Sequence, residues 1–291
     1  MNDYKIITDS TSDLPQGMVD DLGLHVIPMH FTVDGRDYLN TPDEKHLSSH
    51  AFYELLRSGK ASTTAQVNGE VFKDAAKPYL AEGLDVLYLG FSSGLSSTYD
   101  SARLAAEELR AEFPGRKVAA VDTLAASMGE GLLVWHAVRK KEEGLDVDAL
   151  AAWVMENRLH LAHWFTVDDL NHLKRGGRVS GVSALVGTAL SIKPVLHVDD
   201  EGHLIPVDKV RGRRNSLDAL VAHMKRTAVE PASQTVFISH GDALQDAEYV
   251  AERVRETLGV TRIVINPIGP VVGSHAGPGT VALFFLAAKR L

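Results

Sequence analysis

The sequence predicts an α/β protein of two domains: an N-terminal Rossmann-like domain on a parallel sheet, and a C-terminal α/β domain on a mixed sheet. Three observations lead there. The chain has 291 residues, about twice the common domain length. Through the first half, short β-rich runs alternate with amphipathic stretches, the pattern of a parallel sheet wrapped by helices. In the second half, Val198-Asp199-Asp200-Glu201-Gly202-His203 reads as a hairpin turn, which gives that sheet antiparallel neighbours. The expected division is 1–158 and 159–291.

Taken in order, residues 5–8 read as the first strand. Asp9-Ser10-Thr11-Ser12-Asp13-Leu14-Pro15 follows, a cluster suited to capping a helix. Residues 26–38 read as extended, with a turn at Asp34-Gly35. Helices are expected at 46–57 and 70–82, a buried strand at 85–90, and a helix after the serine-rich loop through about 111. A strand at 117–121 and helices at 124–142 and 146–158 complete the first half. The second half reads as strands near 161–166, 194–198, 203–209, 235–239 and 262–266, with helices near 182–190, 213–227 and 243–258.

Composition excludes several functions. The formal net charge is −8, the reverse of the basic surplus that gives nucleic-acid binders their affinity. There is no cysteine, hence no disulfide, thiol nucleophile or Cys-ligated zinc. The first ten residues carry Asp3, Lys5 and Asp9 and do not read as a signal peptide. No apolar run reaches the ~18 residues that span a bilayer, so a cytoplasmic protein without membrane insertion is expected. Neither a Gly-x-x-x-x-Gly-Lys-Ser/Thr loop nor a Gly-x-Gly-x-x-Gly segment occurs, and no cofactor is expected.

Several segments carry candidate chemistry. Gly90-Phe91-Ser92-Ser93-Gly94 lies between a strand and a helix and matches the Gly-x-Ser-x-Gly elbow of α/β-hydrolases, with Ser92 as nucleophile and His275 as base. The same loop suits anion binding at a helix N-terminus, and equally a plain strand-to-helix turn capped by Ser96. Ser62-Thr63-Thr64-Ala65-Gln66 offers hydroxyls to a cap or a cleft. Residues 269–279 hold four glycines, two prolines and His275, a composition that implies a tightly shaped loop. Lys174-Arg175-Gly176-Gly177-Arg178 and Arg211-Gly212-Arg213-Arg214 are basic clusters, either solvated turns or phosphate and partner contacts. The pairs His46/His50 and His160/His163 lack a carboxylate third ligand in sequence and are read as structural, so no metal is expected.

Together these segments resemble the DegV family, almost end to end. The carriers are residues 7–15, Thr63-Thr64-Ala65-Gln66-Val67, Ser92-Ser93-Gly94-Leu95-Ser96-Ser97-Thr98-Tyr99, Leu173-Lys174-Arg175-Gly176-Gly177-Arg178-Val179-Ser180, Lys193-Pro194-Val195-Leu196, Arg211-Gly212 and the loop around His275. The resemblance implies a long-chain fatty acid buried in a tunnel. It implies a non-catalytic partner of a separate fatty acid kinase, which phosphorylates the bound carboxylate for phospholipid synthesis. It places the carboxylate contacts at Thr63, Ser92, Ser93 and His275, and kinase docking or phosphate contact at Arg178 and Arg211. Residues 65–67 depart from the common Thr-Ser-Gln-Pro-Ser pattern. Tunnel walls are expected from 182–190 and 281–286. The energetics agree. Each buried CH₂ contributes about 0.8 kcal/mol, so about fifteen give on the order of 12 kcal/mol before association costs. The carboxylate, costly to bury alone, needs several donors.

Overall fold

The computed structural model describes residues 3–179 and 191–290. The first half runs β1 (Tyr4–Asp9), α1 (Gln16–Asp21), β2 (His25–Ile27), β3 (Met29–Val33), β4 (Arg36–Asn40), α2 (Ser49–Arg57), β5 (Ser62–Thr64), α3 (Gly69–Ala81), β6 (Asp85–Gly90), α4 (Thr98–Glu112), β7 (Val118–Asp122), α5 (Met128–Glu142) and α6 (Val147–Asn157). The second half continues with β8 (Leu161–Thr166), α7 (Leu170–Gly176), β9 (Ile192–Val198), β10 (Leu204–Arg211), α8 (Arg213–Thr227), β11 (Thr235–His240), α9 (Leu244–Leu258), β12 (Arg262–Pro267), α10 (Pro270–Ala276) and β13 (Val281–Leu286).

A four-stranded sheet, β2-β1-β6-β7, is parallel throughout, and a six-stranded sheet, β10-β9-β8-β13-β11-β12, is mixed. The expected α/β class with one parallel and one mixed sheet is what forms. A third, antiparallel sheet, β4-β3-β5, was not anticipated. Its strand β5 is the hydroxyl-rich Ser62-Thr63-Thr64 segment; Asn68, not this segment, caps α3 through Val71 N–H at 3.0 Å. The helix expected at 182–190 lies outside the described residues.

Local chemistry explains the strand ends. The chain leaves β1 and β6 at the point where the parallel sheet changes winding direction, the usual place for a crevice. Asp9 does not cap α1. Its buried carboxylate accepts from Thr11 N–H at 3.0 Å, Tyr88 OH at 2.7 Å and Phe91 N–H at 3.2 Å. It thus ties the ends of β1 and β6 together. The glycine-rich segment expected as a loop forms α10, with Pro270 at its first position, where a missing N–H costs nothing.

The six-stranded sheet has two faces, set by strand alternation. Ala162, Trp164, Val195, Val281, Leu283 and Phe285 pack under α8 and α9. Phe165, Leu196, Ala282 and Phe284 face the other way, into a core shared with α5 and the parallel sheet. The register pairs Ala282 with Phe165 and Phe284 with His163, and this face forms part of the site. Arg290 is 1% exposed. Its guanidinium donates to the carbonyls of Leu161, Leu124, Asp199 and Arg158 at 2.6–3.1 Å.

Burial holds the rings of His136 and His197 neutral, at about 4, below the ordinary value near 6.5. The stability these rings contribute is complete above pH 6.5 and is lost as pH falls from there toward 4, because unfolding then takes up protons. Urea melts between pH 7 and pH 4.5 are expected to show a falling midpoint. His197→Phe, which keeps an aromatic ring against Trp164, is expected to flatten that slope.

Candidate functional site

A cavity of about 750 Å³ lies between the C-terminal edge of the parallel sheet, β3 and β5, α10, and the inner face of the six-stranded sheet. Its volume is in the range of ligand pockets. Phe91, Leu95, Phe165, Val198, Ile268, Val271, Ala282 and Phe284 give it an apolar wall. Thr64, Gln66, Asn68, Ser93, Ser96, Ser97, Arg178 and His275 give it a polar region. A second cavity of about 950 Å³ abuts it, lined by Arg57, Lys60, Thr63, Asp168, His172, Arg175, Asp242 and Asp246 among others. Thr64, Arg178 and His275 line both.

That shared wall is built by β5 lying on α10. Ser62 Oγ meets Ser274 Oγ at 2.7 Å, and Thr64 Oγ1 meets His275 Nε2 at 3.0 Å. The β3–β5 register places Thr64 opposite Phe31 and Thr63 opposite Thr32. Thr64 therefore turns inward with Phe31 and Met29, and Thr63 turns outward. The backbone of Gly176 packs on the imidazole: a Cβ there would stand 2.7 Å from His275 Nδ1. His275 is held at about 4 by burial, with the Arg178 cation adding to the effect. Its ring is neutral at pH 7, so the positive charge at this wall is the guanidinium of Arg178.

The family profile described as "Uncharacterised protein, DegV family" matches residues 3–288. The chain belongs to the DegV family. A DegV domain-containing protein of Clostridium perfringens is 45% identical over 290 residues, covering 100% of this chain and 99% of its own. One of Lactococcus lactis is 35% identical over 98% of both chains. Among solved structures, a DegV family protein of Thermus thermophilus described for its fatty acid binding has 32% identity and a TM-score of 0.86, covering 99% of this chain and 100% of its own. A DegV lipid-binding protein of Thermotoga maritima has 30% identity and a TM-score of 0.84, with the same coverage.

Of the residues expected from the DegV resemblance, Ser93, Arg178 and His275 line the apolar cavity. Thr63 does not; it lines only the polar one, and Thr64 takes the inward position. Ser92 is 0% exposed, donates to Gly202 O at 2.9 Å and accepts from Gly94 N–H at 3.2 Å. It therefore locks the DegV serine loop onto the β9–β10 turn. This geometry leaves Ser92 without a bond to His275 and outside the positive-φ residues, so it lacks the strained elbow of a hydrolase serine. Arg211, exposed at the end of β10, lines neither cavity. Of the tunnel segment at 281–286, Ala282 and Phe284 reach the cavity and their neighbours face the helices. The histidine pairs behave unequally. His163 lines the cavity. His50 pairs with Asp242 at 3.0 Å beside Glu54, and the guanidinium of Arg57 bridges Glu54 and Asp242.

Proposed function

We propose that this protein encloses one long-chain fatty acid in the apolar cavity and presents its carboxylate, through the polar cavity, to a separate kinase that forms the acyl phosphate. The observation carrying this reading is the wall of Thr64, Arg178 and His275 shared by the two cavities. The fatty acid binding described for the Thermus relative and the lipid binding described for the Thermotoga relative support it. In this reading the hydrocarbon lies along Phe165, Ala282 and Phe284. The carboxylate accepts hydrogen bonds from Thr64 and Ser93, with Arg178 supplying the charge. His275 Nε2 donates to Thr64 Oγ1, which frees the threonine proton for the ligand. Ser92 acts by shaping the loop, and Thr63 faces the incoming phosphoryl donor. Arg178 and Arg211 remain the proposed contacts for the kinase or its phosphate. The protein itself carries out no phosphoryl transfer, and it works in the cytoplasm as two lobes divided at 158/159.

Solvent extraction of the purified protein followed by mass spectrometry tests the ligand class. The expected result is one long-chain fatty acid per chain; a lipid-free extract from protein that also fails to take up added fatty acid overturns the reading. The headgroup assignment is tested separately. Thr64→Val removes a donor to a charged group, worth about 1.5–3 kcal/mol, or roughly 10- to 100-fold in affinity. Thr63→Val is expected to cost less. Equal losses, measured by displacement of a fluorescent fatty acid, would return the carboxylate to Thr63.

A further inference from the structure

The strand-to-helix elbow that the sequence pattern assigned to Ser92 exists in this fold at Ser127. Ser127 ends the loop between β7 and α5 with φ 54° and ψ −149°, a backbone region that is essentially glycine's. Its hydroxyl does not cap α5. It donates to Asp13 Oδ2 at 2.6 Å and lies 2.9 Å from Ser239 Oγ. Asp13 is 7% exposed and is held from its other side by Gly269 N–H at 2.9 Å. Ser127 also lines the apolar cavity.

The surrounding sequence is Ala125-Ala126-Ser127-Met128-Gly129, with a small residue two places before and two places after the serine. Ala125 is 0% exposed, and a Cβ on Gly129 would stand 2.3 Å from His163 Nε2. Hydrolase nucleophiles share two of these features, a strained serine between strand and helix and small flanking residues.

We propose that Ser127 is an acyl-accepting nucleophile, with Asp13 as its base, acting on a long-chain acyl oxyester that enters the apolar cavity. This rests on the reading that the cavity takes an acyl chain. Ser127 Oγ adds to the acyl carbonyl carbon while its proton passes to Asp13. The tetrahedral oxyanion collapses, the bond to the alcohol oxygen breaks, and the leaving alcohol takes the proton from Asp13. An ester to Ser127 remains. Water then adds to this ester, Asp13 accepts and returns one proton, and the free fatty acid departs with the serine hydroxyl restored. Burial pushes the Asp13 carboxyl up to about 7, with nearby Asp9 and Glu44 adding like charge. That places it where a base works at neutral pH.

The test treats the full-length protein with a long-chain alkyl fluorophosphonate and maps the adduct by mass spectrometry, while palmitic acid binding is measured in parallel. One adduct at Ser127 is expected, displaced by palmitic acid, lost in Ser127→Gly and slowed roughly 100-fold in Asp13→Asn. Glycine suits the backbone at 127, and a circular dichroism melt no lower than the parent's verifies that this variant is folded. An unlabelled protein that binds palmitic acid overturns the proposal and leaves the binding reading standing. An adduct on another serine, or equal labelling of Asp13→Asn, overturns the assigned roles. If neither probe binds, the acyl cavity itself is refuted.

Discussion

Arg290→Met is expected to lower folding stability by roughly 3–6 kcal/mol. The side chain is fully buried and has four backbone carbonyls as hydrogen-bond acceptors, from the start of β8, the turn before it, the loop after β7 and the β9–β10 hairpin. Methionine matches the length and the apolar stem but supplies no donor. The carbonyls are then left unpaired, at about 1–3 kcal/mol each where water cannot reach them. Arg290→Lys is expected to recover only part of the loss, because one ammonium cannot match the spread of a guanidinium fork. Urea denaturation midpoints measure both. A change within 1 kcal/mol for methionine would mean that solvent replaces the guanidinium there.

Ala282→Phe is expected to empty the apolar cavity of lipid. Ala282 lies within β13, on the face toward the cavity, paired with Phe165. A phenyl ring there occupies the space of several methylenes. Displacing only four, at about 0.8 kcal/mol each, weakens binding by over 100-fold. The neighbours Val281 and Leu283 point to the opposite face, under α8 and α9, so that packing is untouched. Lipid content after extraction, with a melt to verify folding, is the measurement. Unchanged lipid would place the hydrocarbon elsewhere.

The large architecture was legible because its signals are local. The run at 86–89 is continuous and apolar, and it became the middle of β6, in which every residue is buried. The turn at 198–203 joined β9 to β10 as an antiparallel pair. What escaped reading depended on distant partners. Ser62-Thr63-Thr64 is too short and polar to announce a strand; it is one because β3 accepts it. The choice between Thr63 and Thr64 is a question of parity, and only the register with Phe31 and Thr32 answers it. The burial of Ser92 comes from Gly202, 110 positions away. The strain at Ser127 has no signature in composition at all, since a glycine would have been the expected occupant. The residues of 281–286 were read as a continuous apolar wall, and central placement in the sheet divides them between two compartments.

The division between those compartments has a further meaning. Where Thr64 and His275 stand, the oily and the aqueous chambers are separated by the thickness of one side chain. In the proposed reading, a guest seated on the oily side is met at one end, at this wall. Discrimination among reagents can then come from architecture: whatever the polar chamber admits meets a single terminus, and reaction there does not require the guest to leave its berth.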